Sequence, residues 1–83
     1  MAQHKLLLVD DDSDILEINS AFLTSEGYEV VTATTIAETM ECVQHHNFDC
    51  IVLDVMLPDG SAFELPPRIQ AFSDAPIIFL TAK

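Results

Sequence analysis

The sequence predicts an α/β domain built on a parallel sheet that is covered on both faces. Two observations carry this. Four short apolar runs, at residues 6–9, 30–31, 50–53 and 77–80, recur along the chain. Each is continuously apolar, whereas a strand with one wet face alternates, so both faces of these strands should be buried. The segments between them carry apolar residues at helical spacing. Strands alternating with helices imply parallel pairing through right-handed crossovers.

The elements follow in the order β-α-β-α-β-α-β. LLLV at 6–9 is the first strand. Ile15, Ile18, Phe22 and Leu23 then fall at roughly i, i+3, i+7 and i+8, giving the first helix one apolar face, and Gly27 suits its C-terminus. VV at 30–31 is the second strand. Thr35 and Glu38 spell a T-x-x-E capping box, with Ile36, Ala37, Met40 and Val43 continuing the second helix. CIVL at 50–53 is the third strand and IIFL at 77–80 the fourth. Ser61 and Glu64 form a second candidate box for the third helix, but Pro66 and Pro67 fall one turn later. Proline inside a helix removes donors and clashes with the preceding turn, at about 3 kcal/mol. The helix therefore starts late, at one of the two prolines, or is kinked there. Phe63, Phe72 and Phe79 are expected in the core.

The bulk numbers bound the function. Eighty-three residues make one small domain, and a 49% hydrophobic content argues for a packed core. Fourteen acidic residues face three basic ones, for a formal charge of −11. Such a surface repels phosphate backbones and anionic lipid, so neither nucleic acid nor membrane is an expected partner. Two cysteines do not make a disulfide framework, and the opening MAQHKLLLV has too short an apolar run for a secretory signal. The expectation is a reduced, cytoplasmic protein. Cys42, His45, His46 and Cys50 do not follow a usual zinc spacing and are read as structural or surface residues.

The chemistry concentrates at the strand ends. In an open parallel sheet, ligands bind beyond the carboxyl ends of the strands. The first strand runs into Asp10, Asp11 and Asp12, with Asp14 close behind. The third ends in Asp54 and the fourth in Thr81. Like charges this close repel unless a cation sits among them. Hard oxygen donors favour Mg²⁺, with Mn²⁺ an acceptable substitute, and a phosphorylated donor can complete the coordination. Asp54 is then placed as a carboxylate nucleophile that forms an acyl phosphate, with the Thr81 hydroxyl bonding a phosphoryl oxygen. Asp12 and Asp14 read as capping or surface residues.

The stretches LLLVDDDSDIL, IVLDVMLPDGSAFEL and PIIFLTAK, taken in order, resemble the receiver domain of two-component response regulators over essentially all of residues 1–83. The resemblance implies a flavodoxin-like three-layer α/β fold with strand order 2-1-3-4. It implies Asp54 as phosphoacceptor and Thr81 as switch hydroxyl. Asp11 would be the direct Mg²⁺ ligand, Asp10 would act largely through water, and Met56 would contribute its backbone carbonyl. Pro58 and Gly60 match the family's turn after the phosphorylation site. A sensor histidine kinase would be the phosphoryl donor, and an output domain, often for DNA binding, would be switched.

A receiver resembling this one is expected to continue for another third of its length, through a fifth strand with an essential lysine at its end and a final helix. Residues 1–83 thus correspond to its N-terminal two-thirds, and Lys83 does not match that lysine. Two further expectations follow: the fourth strand becomes an edge able to pair with a second copy, and the first helix keeps an uncovered apolar face. Two other readings use the same residues. A degenerate receiver would serve only as an interaction module. A haloacid-dehalogenase-type phosphatase fragment would use Asp10 as nucleophile and Asp12 as acid/base.

Overall fold

The computed structural model describes residues 4–54, 56–57, 60–61 and 64–80, with the backbone alone at Asp54, Met56, Leu57, Gly60, Ser61 and Leu80. The elements are β1 (Lys5–Val9), α1 (Ser13–Ser25), β2 (Glu29–Ala33), α2 (Ile36–His45), β3 (Cys50–Asp54), β4 (Met56–Leu57), β5 (Gly60–Ser61), α3 (Leu65–Gln70) and β6 (Ile77–Leu80). Four strands form one parallel sheet in the order β2-β1-β3-β6, which is the expected 2-1-3-4.

Alternate residues of the central strands serve the two faces. Leu7, Val9, Ile51 and Leu53 join Ile36, Met40 and Val43 of α2 and Leu65 and Ile69 of α3 in one core cluster. On the other face, Leu8 and Val52 meet Leu16 of α1. Helices on both faces explain why the strands read as unbroken apolar runs.

Local chemistry sets the helix ends. Asp12 caps α1, its Oδ1 accepting from the amides of Asp14 at 3.0 Å and Ile15 at 3.3 Å. At the other end, Gly27 adopts φ +97°, while the amides of Tyr28 and Gly27 donate to the carbonyls of Leu23 and Thr24. This double closure needs a left-handed residue, which glycine supplies without strain. Thr35 caps α2 through Oγ1, which accepts from Glu38 N at 3.1 Å. Glu38 reaches back beyond Thr35: its Oε1 accepts from both Thr34 N and Thr34 Oγ1 at 2.7 Å. The box is thus extended by one residue.

Four expectations need correction. The Ser61–Glu64 box does not open α3. Ser61 belongs to β5, which pairs antiparallel with β4, and Glu64 is the N-cap but makes no side-chain capping bond. The prolines neither kink α3 nor begin it. The helix starts at Leu65, so Pro66 and Pro67 lie in its first turn, where amides lack intrahelical acceptors anyway. Phe72 is 53% exposed, whereas Phe79 packs against the core; Phe63 lies outside the described residues. Finally, the buried side of α1 is not centred on Ile18 and Phe22, which are 69% and 63% exposed, but on Leu16. Ile18 and Phe22 are the uncovered apolar surface expected of the first helix.

Candidate functional site

The carboxyl rim of the sheet brings together residues far apart in sequence. β1 and β3 pair in register up to Val9 and Leu53, so the chain leaves the ladder at Asp10 on one strand beside Asp54 on the next. Neighbouring strands lie about 4.8 Å apart, which sets the scale of the Asp10–Asp54 backbone separation. Asp54 in turn stands in register with Leu80 of β6, the residue before Thr81. Thr81 lies outside the described residues, as do Pro58 and Lys83.

The three acids after β1 are held differently. Asp10 is 7% exposed, although a carboxylate is costly to bury without partners. Its backbone amide donates to Ala33 O at 3.1 Å, tying it to the end of β2. Its Oδ1 accepts from Asp12 N at 2.9 Å. Asp11 is exposed at the rim. Asp12 is committed to the helix cap. Its Oδ1 accepts both capping amides. Met56 opens the β4–β5 pair that follows Asp54 after one residue.

The donor set fits a hard divalent cation in kind: Asp10 and Asp11 at one strand end, Asp54 at the next, and the Met56 backbone just beyond. Among residues described with side chains, no group of three or more His, Cys, Asp or Glu is placed to hold a metal. Of the expected structural or surface residues Cys42, His45, His46 and Cys50, both histidines are exposed and both cysteines are half-buried free thiols. His45 Nε2 lies 3.1 Å from Glu41 Oε1, one helical turn away. His46 Nδ1 lies 2.8 Å from Lys5 Nζ. Burial, and secondarily Glu38 and Glu41, push the Cys42 thiol up from its ordinary range. Lys5 also lies 3.5 Å from Glu29 and over the Phe48 ring, at the amino end of the sheet and far from the acids.

Residues 6–83 match the model of the response regulator receiver domain. The chain belongs to the response regulator receiver family. The probable transcriptional regulator ycf27 of Cyanidium caldarium is 42% identical over 80 residues, which cover 96% of this chain and 32% of that protein. The non-phosphorylated receiver domain of HemR from Leptospira biflexa superposes with a TM-score of 0.89 at 38% identity, covering 98% of this chain and 66% of that one. The beryllofluoride-activated receiver domain dimer of NtrC4 matches with a TM-score of 0.83 at 37% identity, over 90% of this chain and 63% of that one. The chain therefore spans about a third of the curated relatives' length and about two-thirds of these receivers. Among the described residues, no helix is long and apolar enough to cross a membrane.

Proposed function

We propose that this receiver takes a phosphoryl group onto Asp54 from a phosphohistidine of a sensor histidine kinase and so switches an output domain. The observation that carries the reading is the strand register, which sets buried Asp10 beside Asp54 at the carboxyl rim. An Asp54 carboxylate oxygen attacks phosphorus, the P–N bond to the donor imidazole breaks, and the imidazole leaves with its electron pair and takes up a proton. The product is an acyl phosphate, which water later hydrolyses. Asp10, Asp11, Asp54 and the Met56 carbonyl would hold Mg²⁺, which offsets charge on the phosphoryl oxygens when bound. Asp10 and Asp11 would keep that charge beside Asp54, and the Thr81 hydroxyl would bond a phosphoryl oxygen. The test is incubation of the full-length protein with acetyl phosphate and Mg²⁺, followed by peptide mapping. Label on Asp54 supports the reading. A protein that takes no label but still binds partners would be an interaction module.

Metal binding gives a separate check. Mg²⁺ is expected to raise the melting temperature of the full-length receiver by mass action. Asp11→Asn removes one ligand charge and should lose most of that increment. Equal stabilisation of mutant and parent by Mg²⁺ would remove Asp11 from the ligand set.

Association is the remaining element. Within the described residues β6 pairs on one side only, with β3, and it carries no charge; Ile78 is 50% exposed. An apolar strand edge is a template for pairing. The isolated 83-residue chain is expected to dimerise through β6 at high concentration, and Ile78→Lys should weaken that association. Light scattering that finds a monomer for the parent chain would show the edge to be protected.

A further inference from the structure

We infer that the free edge of β2, with the adjoining face of α2, is a docking groove for a basic extended segment of a partner protein, which joins the sheet as a further strand. The site is independent of the phosphoryl chemistry proposed above. β2 lies at the opposite edge of the sheet from β6, and among the described residues it pairs with β1 alone. The amide of Glu29 donates to His4 O at 2.8 Å, and Ala33 O accepts from Asp10 N at 3.1 Å. Backbone groups alternate sides along a strand. Glu29, Val31 and Ala33 therefore face β1, while Val30 and Thr32 turn their amides and carbonyls to the open side.

Native sheet edges are commonly blunted by proline, lysine, a bulge or a covering segment. β2 reads EVVTA, with neither proline nor lysine. Its register with β1 runs unbroken from Glu29 to Ala33, so it has no bulge. Beside it runs an open groove, bounded by Thr32 on the strand and by Ala37, Glu38, Glu41 and Cys42 on α2. An edge strand flanked by a helix suits strand addition. Main-chain hydrogen bonds hold the incoming segment, and its alternate side chains meet the helix.

Charge selects the occupant. Glu38 and Glu41 stand on the groove, and Glu29 begins the strand. Glu38 is held by the amide and hydroxyl of Thr34, neutral donors that leave its charge in place. Glu41 lies 3.1 Å from His45 Nε2 on the exposed surface. The chain as a whole carries a formal charge of −11. A second copy added at this edge would bring these acids toward their own equivalents, whereas lysine or arginine side chains meet them with opposite charge. Ala37 and Cys42, one beside each acid, leave room for a small aliphatic residue between two basic ones.

The test titrates isotope-labelled full-length protein with a blocked pentapeptide that alternates lysine and valine. In nuclear magnetic resonance spectra the amides of Val30 and Thr32 should shift and gain protection from solvent exchange, and added salt should weaken the effect. Thr32→Pro removes an outward amide while sparing the ladder to β1, and should weaken binding about tenfold. Glu41→Lys should weaken it about fivefold. A fully N-methylated form of the peptide should not bind the unaltered protein, which keeps the test independent of how well the proline variant folds. Equal binding of the plain and N-methylated peptides, or shifts confined to the rim at Asp10 and Asp11, would reduce the effect to charge attraction and overturn the inference. A glutamate-valine peptide that binds as well as the lysine one would also overturn it. So would a parent protein that self-associates through β2 and loses that association in Thr32→Pro, because the occupant would then be a second copy. Unmoved Val30 and Thr32 amides at millimolar peptide would end the proposal outright.

Discussion

Asp54→Asn is expected to reduce phosphoryl labelling of the full-length receiver by acetyl phosphate to background. The amide is nearly isosteric with the carboxylate but lacks a nucleophilic oxygen anion, so the acyl phosphate has nowhere to form. The fold should survive, because Asp54 is the last residue of β3, where its backbone stands in register with Leu80 of β6, and the amide is close in size to the carboxylate. Asp12→Asn separates this chemistry from that of the phosphatase reading. Asparagine caps helices about as well as aspartate, so Asp12→Asn should leave α1 intact and most of the label in place. The phosphatase chemistry requires the reverse, with label dependent on Asp10 and Asp12. Label persisting on the Asp54→Asn protein would therefore sink the assignment of Asp54. Mass spectrometry of intact protein after a fixed incubation reads both variants.

The second large effect lies in the core. Ile51, the second residue of β3, is fully buried and flanked by Leu7 on β1 and Ile77 on β6. Ile51→Ala should cost about 2–5 kcal/mol through lost burial and the cavity left behind. A domain of this size has about 4–12 kcal/mol in total at ordinary per-residue stabilities, so the variant should be close to its unfolding midpoint under mild conditions. Urea unfolding followed by circular dichroism measures the loss. Ile78→Ala, on the half-exposed face of β6, serves as the control and should lose much less. Equal losses at the two positions would mean that β6 is as thoroughly packed as β3.

How legible the chain was depends on how local each feature is. Strand existence and the caps at Thr35 and Gly27 were readable because each rests on a few consecutive residues, an unbroken apolar run, a Thr three positions before a Glu, a glycine after the last turn, whereas the sheet order came from the resemblance to receiver domains. The acid cluster was readable too, since strand ends in a parallel sheet share one rim whatever the loops do. The β4–β5 pair was not, because two-residue strands carry no period. The placement of α3 was ambiguous for a related reason. Two prolines forbid a helix interior but allow a first turn, and the sequence does not say where the turn begins.

What the sequence determined by itself was the alternation of four strands with three helices and the position of Asp10, Asp11 and Asp54 at strand ends. What tertiary structure alone decided was which face each helix turns inward and which acid is buried. α1 carries apolar residues at 15, 16, 18, 22 and 23, enough for two overlapping stripes, and packing against Leu8 and Val52 chose the one through Leu16. That choice turned Ile18 and Phe22 outward. Likewise three adjacent aspartates are equivalent in sequence. They differ in the fold because Asp10 is anchored to Ala33 and shielded at the strand end, Asp11 faces outward, and Asp12 is spent on the helix cap. Helical and strand periods fix which residues share a face. Only the competition among faces for one limited buried surface fixes which face goes inside.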